Sequence, residues 1–242
     1  MGEIVPGALL GQLIGRVLAD LTPPVAAHDI VVIAQKAVSK SEDRFVILDD
    51  VVPTARAIEL GMQTRKDPRL VEIILRESVE VMRAVPNVLI TRHRNGYVCA
   101  QAGVDRSNVP QNGGERVLLL PEDPDASAMR IRTELQQQLG VAPGVIISDS
   151  FGRPWRMGTV NVALGAAGVP TLWDRRGEPD RQGRALESTE VAWADAVATA
   201  AGLVMGEAAE GTPVVLVRGL QWTAAEQPAQ ALIRPLAQDL FR

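Results

Sequence analysis

No stretch limits the possible folds of this chain more than Gly144-Val-Ile-Ile-Ser-Asp-Ser-Phe-Gly-Arg-Pro-Trp-Arg156. Its apolar start, Val145 to Ile147 with Val141 just before, reads as a buried strand. The strand is expected to end abruptly in Ser148-Asp149-Ser150, a hydroxyl, a carboxylate and a hydroxyl. Gly152 and Pro154 then turn the chain, and Arg153 and Arg156 are expected to set two fixed positive charges beside the carboxylate. A buried strand that hands polar groups to a Gly/Pro loop is a common way for α/β enzymes to present chemistry. Oxygen donors beside guanidinium groups suit a divalent cation with a phosphate. An aspartate in this place equally serves to cap its own turn, so the stretch alone leaves both roles open.

A chain of 242 residues has ample core for one large domain or two small ones. Its formal charge of -4 makes no electrostatic case for nucleic acid, which calls for a concentrated basic surface. Cys99, the single cysteine, excludes an intrachain disulfide and a thiolate metal site. Within Tyr97-Val-Cys-Ala100 it reads as a core thiol rather than a nucleophile. No apolar run approaches the length that spans a bilayer. The first residues carry Glu3, Arg16 and Asp20 without the basic start of a secretion signal, so a cytoplasmic protein is expected.

Leu9, Leu10, Leu13, Ile14, Val17, Leu18 and Leu21 recur at helical spacing and predict a core-facing helix over 8–21, stopped by Pro23-Pro24. Asp29 to Ile33 is a buried strand, followed by a polar segment, and Phe45 to Leu48 a second strand expected to pair as a hairpin. Asp67-Pro68 opens a helix in which Leu70, Ile73, Ile74, Glu77 and Val81 share a face, with a Glu72/Arg76 pair on the wet side. Asn95-Gly96 predicts a tight hairpin between Val88–Thr91 and Tyr97–Ala100. Strands are expected at 117–120 and 213–219, and helices at 121–139 (closed by Gly140), at 189–205, and at 229–241, where Pro235 kinks or splits the last. Val160 to Gly168 is small and apolar, a sign of close backbone packing. The loop from Trp173 to Arg184 is charged and aperiodic. Strands and helices mix without strict alternation, which points to an α+β fold with mixed or antiparallel sheets in one domain over 1–242.

Three acidic residues follow or interrupt apolar elements in distant parts of the chain: Asp105, Asp149 and Glu207. Hard divalent ions take such oxygen ligands, gathered from different segments by the fold; each residue alone reads as a cap or a solvated carboxylate. Lys40 stands where an ammonium reaches phosphate oxygens, although a surface lysine is the ordinary case. His28 and His93 read as isolated surface residues, and the four tryptophans as core packing, with Trp173 a candidate for stacking on a ring. No Walker loop and no Gly-x-Gly-x-x-Gly fingerprint occurs.

Four blocks carry a resemblance: Cys99-Ala-Gln-Ala-Gly-Val-Asp-Arg-Ser-Asn-Val109, Leu119-Leu-Pro-Glu-Asp-Pro-Asp-Ala-Ser127, Ile147-Ser-Asp-Ser-Phe-Gly-Arg-Pro-Trp-Arg156 and Val214-Val-Leu-Val-Arg-Gly-Leu220. In this order they closely resemble the coenzyme F420:L-glutamate ligase family, and the likeness runs from about Glu3 to Leu220. It is closest in flavour to actinobacterial members, without their C-terminal nitroreductase-like domain. The resemblance implies a GTP-dependent ligase that adds L-glutamate to F420-0 and F420-1. It also implies two divalent ions, magnesium or manganese, a potassium ion, and an intertwined homodimer with a family-specific α+β fold. By the same resemblance, Asp105 and Asp149 match the ligands of the first divalent ion, and Ser150 and Glu207 those of the second. Glu3, Ile4, Lys40 and Asn108 match nucleotide contacts, and Gln35-Lys36 stand where relatives carry a Ser-Thr-like pair. Leu203, Val204, Met205, Gly206 and Glu210 match a further guanine-nucleotide contact. Two other functions share the inventory: a metal-dependent phosphotransferase or phosphoesterase on another acceptor, and a non-catalytic nucleotide-binding dimer.

Overall fold

A computed structural model of the chain describes residues 2–111 and 114–239. Its elements run α1 (Leu10–Ala19), β1 (Ile30–Ala34), α2 (Gln35–Ser41), β2 (Phe45–Ile47), α3 (Ala55–Thr64), α4 (Pro68–Arg76), β3 (Ser78–Val85), β4 (Val88–His93), β5 (Val98–Ala100), β6 (Arg116–Leu118), α5 (Pro124–Leu139), β7 (Gly144–Arg153), β8 (Arg156–Ala167), β9 (Leu172–Asp174), β10 (Glu190–Ala192), α6 (Trp193–Met205) and β11 (Val214–Val217). The fold is mixed α+β with several sheets. No helix of the described residues is long and apolar enough to cross a membrane.

The main sheet has the order β11-β1-β7-β8. β1 and β7 are parallel, Ile30 opposite Gly144 through Ala34 opposite Ser148. β11 and β8 close the two sides in antiparallel pairings. Successive side chains of a strand face opposite ways, and β1 together with the first half of β7, Gly144 to Ile147, carries no polar side chain because both faces are covered there. Val31, Ile33, Val145 and Ile147 pack with Ile14, Leu18, Ile131 and Leu135 of α1 and α5. Ile30, Val32 and Ile146 pack instead with Ala194, Val197, Ala198 and Ala201 of α6. The small side chains of α6 bring its axis close to the sheet. Gly165 of β8 does the same for α5, since a Cβ there would lie 2.2 Å from the Pro124 carbonyl oxygen. A second core joins α3 and α4 to Leu89, Val104, Val117 and Leu119, beside the antiparallel sheet β3-β4-β5.

Several expectations need correction. The triplet Ser148-Asp149-Ser150 lies inside β7 and not at its end: the strand runs to Arg153, turns at Pro154-Trp155 and returns as β8, with Ser150 opposite Asn161. Pairing with β8 explains this, because strand hydrogen bonds continue past the polar residues. Phe45–Ile47 pairs with β6 and not with β1. α4 ends at Arg76, and 78–85 is a strand. Glu72 is buried, accepting from the Thr54 amide and hydroxyl at 2.9 and 2.7 Å as well as from Arg76. His93 has no exposed surface; its Nδ1 accepts from the Asn95 amide at 3.0 Å. Trp155 is 79% exposed at the hairpin tip, and Trp173 stacks under the Arg175 guanidinium. The segment after 228 forms two short 3-10 turns either side of Pro235; Phe241, the end of the helix expected there, lies outside the described residues.

Candidate active site

Parallel strands deliver their carboxyl ends to one edge of a sheet, and ligands bind there. At that edge β1 gives way to Gln35 and Lys36, and β7 presents Ser148, Asp149 and Ser150. β11 begins at the same edge, with Val214 opposite Ile33, so the segment 206–213 also arrives there. Between these pieces lies a cavity of about 660 Å³. Its lining includes Glu3, Ile4, Gln35, Lys36, Lys40, Asn108, Asp149, Ser150, Met205, Gly206, Glu207 and Glu210, twelve of the sequence-predicted positions from five separate segments. Asp105 borders a neighbouring cavity and reaches this one through Lys36, whose ammonium lies 2.7 Å from Asp105 Oδ2. Leu203 and Val204 are not on the wall; they are 86% and 61% exposed on the outer flank of α6. Arg153 and Arg156 are also elsewhere, on the β7–β8 arm, where Arg153 donates to the Gly158 carbonyl at 3.2 Å. At about 3.3 Å per residue, the strand carries them well beyond Asp149.

Each functional side chain is held by its own local device. Ser39 Oγ donates to Gln35 Oε1 at 2.9 Å, one turn apart in α2, which orients the amide. Lys40 pairs with Glu3 at 2.7 Å and ties the N-terminal segment to the cavity wall. Asp105 accepts from the Ser107 amide at 2.7 Å and from the Ser107 hydroxyl at 3.0 Å, so the loop is bent round the carboxylate. Asn108 adopts a φ of 57° and donates to the Ala208 carbonyl at 3.4 Å, linking this loop to the one after α6. Asn161 and Thr212 belong to the site and went unrecognised in the sequence. Asn161 had one visible signal, a lone polar side chain in the run Val160 to Ala167.

The electrostatics of the carboxylates are uneven. Burial pushes the Asp149 carboxyl up to about 7; Lys36 and a backbone N–H at Ser150 oppose this, and the charges of Asp105 and Glu207 add to it. Asp149 thus senses the other two acids across the site. Burial also works against ionisation of Asp105, but the Lys36 and Ser107 hydrogen bonds win and hold it below the ordinary value.

Among the described residues no three His, Cys, Asp or Glu side chains stand close enough to hold a metal by themselves. Asp149, Ser150 and Glu207 on the cavity wall are oxygen donors of the kind that hard ions such as magnesium or manganese take. Such ions commonly take one or two carboxylates and complete their shell with substrate phosphates and water, and two carboxylates, Asp149 and Glu207, line this cavity.

Comparison with known proteins gives the chain its class: it is a ligase. The model of the F420-0:gamma-glutamyl ligase family matches residues 1–219, and the chain belongs to that family. A coenzyme F420:L-glutamate ligase of Methanopyrus kandleri is 46% identical over 244 residues, 99% of this chain and 94% of that protein. That of Methanocaldococcus jannaschii is 45% identical over 219 residues, 90% and 86% of the two chains. That of Haloarcula marismortui is 42% identical over 247 residues, 99% and 92%.

Proposed function

We propose that this chain adds L-glutamate to coenzyme F420-0, and then to F420-1, in a reaction driven by GTP. The observation that carries the reading is the convergence of Asp149, Ser150 and Glu207 with Lys36 and Lys40 on one cavity of about 660 Å³, in a chain whose relatives are named for glutamate ligation. A carboxylate is a poor acylating agent and needs activation. The γ-phosphoryl group passes to the acceptor carboxylate, forming an O–P bond while the bond to the β-phosphate oxygen breaks and GDP leaves. The glutamate amine then attacks the acyl carbon, the C–O bond to phosphate breaks, and phosphate and a proton depart.

Phosphoryl transfer asks for positioning and charge neutralisation more than covalent help. Lys36 and Lys40 supply fixed positive charge. Gln35, Asn108 and the loop from Gly206 to Glu210 present polar groups along the length a nucleotide would occupy, with Glu3 and Ile4 closing one end. Asp105, Asp149, Ser150 and Glu207 would hold the divalent cations, which when bound neutralise the triphosphate oxygens. The resemblance adds a potassium ion and a homodimer to this reading.

Mass analysis of F420-0 after incubation with L-glutamate, GTP and manganese tests it. One or more glutamyl additions are expected, none without glutamate and none in Asp149→Asn. A phosphorylated acceptor that accumulates regardless of glutamate would replace ligation with simple phosphotransfer. Full turnover in Asp149→Asn would remove the metal role.

A further inference from the structure

A second cavity, about 340 Å³, lies on the other side of Asp105. Its wall is made by Arg65, Lys66, Asp67, Leu70, Gln101, Val104, Asp105 and Arg106, so three of its eight residues are cationic. The acids in that wall are already satisfied. Asp67 is held by Arg69, with Nη2 at 2.7 Å and Nε at 3.2 Å, and caps α4 through the Arg69 amide. Asp105 is held by Lys36. Of the cations, Arg106 is paired with Glu115, whereas Arg65 and Lys66 make no ion pair among the described residues. Arg65 also stands in the left-handed region at φ 56°, the position after α3 where glycine or asparagine is the usual choice. An arginine there lines the cavity from a backbone conformation that its own preference does not explain.

Two unpaired cations of different shape, one able to take a carboxylate by two parallel N–H bonds and one a point charge, suit a ligand with two carboxylates. We propose that this cavity receives the acidic amino acid, the L-glutamate of the ligation, with Arg65 and Lys66 as its carboxylate partners. The inference rests on the ligase reading and adds a substrate site to it. The partition between the cavities is the Lys36–Asp105 pair, so an amino acid held here stands beside the carboxylate cluster where the acceptor is activated.

Steady-state kinetics on the full chain with Arg65→Asn and Lys66→Met, and calorimetric titration of L-glutamate into each, test the site. Asparagine tolerates the left-handed backbone, so Arg65→Asn keeps the turn. Each variant is expected to raise the KM for glutamate by about tenfold or more, as loss of a charge-assisted bond does. The KM values for GTP and F420-0 should stay within about twofold, and the heat of glutamate binding should fall with the same ranking. An unchanged KM for glutamate in both variants, with the wild type active, overturns the site and leaves the ligase reading standing. A rise confined to the KM for F420-0 assigns the cavity to the acceptor and overturns it too. If the wild type makes no glutamyl product, the ligase reading has failed, and the titration still decides: glutamate binding that survives both substitutions removes the cavity as its site.

Discussion

Gly206 shows how much of the site rests on one missing side chain. At φ 75° and ψ 173° it adopts a conformation essentially reserved for glycine, and a Cβ would fall 2.2 Å from Glu210 Cδ. Glu210 folds back to accept the Ala208 amide at 2.8 Å, and this closes the loop that forms one wall of the cavity. Gly206→Ala is expected to raise the KM for GTP by about tenfold or more by breaking that wall. The backbone strain should also cost about 1–3 kcal/mol in urea unfolding unless the exposed loop relaxes; kinetics beside equilibrium unfolding separate the two, and an unchanged KM would show that the loop does not bind nucleotide. Gly165→Ala should act on stability, costing about 1–3 kcal/mol as β8 is forced away from the Pro124 backbone. In the sequence Gly206 was legible as a helix stop and Asp149 as chemistry, since both signals are local. That Leu203 and Val204 turn outward was not, because which face of an Ala-rich helix meets the sheet depends on the sheet.

Asp125 does for whole elements what Gly206 does for a loop. In the first turn of α5, its carboxylate accepts from the amides of Ala166 in β8, at 2.8 Å, and of Ala229, at 2.7 Å, both through Oδ1, and of Gln230 at 3.2 Å through Oδ2. Asp125→Ala leaves those amides unpaired between packed elements, and a loss of about 3 kcal/mol is expected. Asp125→Asn keeps one acceptor oxygen and should lose about half as much; equal losses in the two variants, measured by urea unfolding, would mean that the bonds to Ala166 and Ala229 contribute little. Element by element, the long periodic segments were readable: α1 and α5 lie where the sequence puts them, whereas α4 stops at Arg76 and α6 begins at Trp193 and not at 189, because Glu190–Ala192 pairs with β9 as a strand. The miss at 78–85 has a physical reason, since Ser-Val-Glu-Val-Met-Arg-Ala-Val fits a period of two as well as extending the helical face. Ser78 Oγ caps the Ile74 carbonyl at 2.6 Å, and Glu77 is drawn to Arg44 and Arg94 at 3.1 and 3.2 Å, so α4 ends there. The β2–β6 pairing joins residues some seventy positions apart, and nothing local announces it.

Across the whole molecule two carboxylates, Glu77 in the core and Asp149 on the cavity wall, pull stability in opposite directions with pH. Burial works against ionisation of Glu77, but His93, Arg94 and Arg44 overcome it and hold its carboxyl below the ordinary value. Its contribution is therefore present above the unfolded pKa and is lost as pH falls through the lower, folded one. Asp149 is raised to about 7, mainly by burial. Its contribution is full below the ordinary value of 3.8 and drains away as pH rises towards 7, because the folded chain then has to hold an ionised carboxylate near Asp105 and Glu207. The metal-free protein should thus lose stability between about pH 4 and about pH 7, and Asp149→Asn should remove most of that slope while leaving in place the acid limb, to which Glu77 contributes with the other lowered carboxylates. A divalent cation should restore the wild type at the higher pH by compensating the ionised carboxylate, and should do little for the variant. Urea midpoints in chelator and in manganese at the two pH values make the comparison. Parallel curves for the wild type and Asp149→Asn in chelator would mean that position 149 ionises in the folded chain as easily as in the unfolded one. In that case the acids at positions 105, 149 and 207 do not share a field, and the cavity loses the cation-binding character on which its proposed chemistry depends.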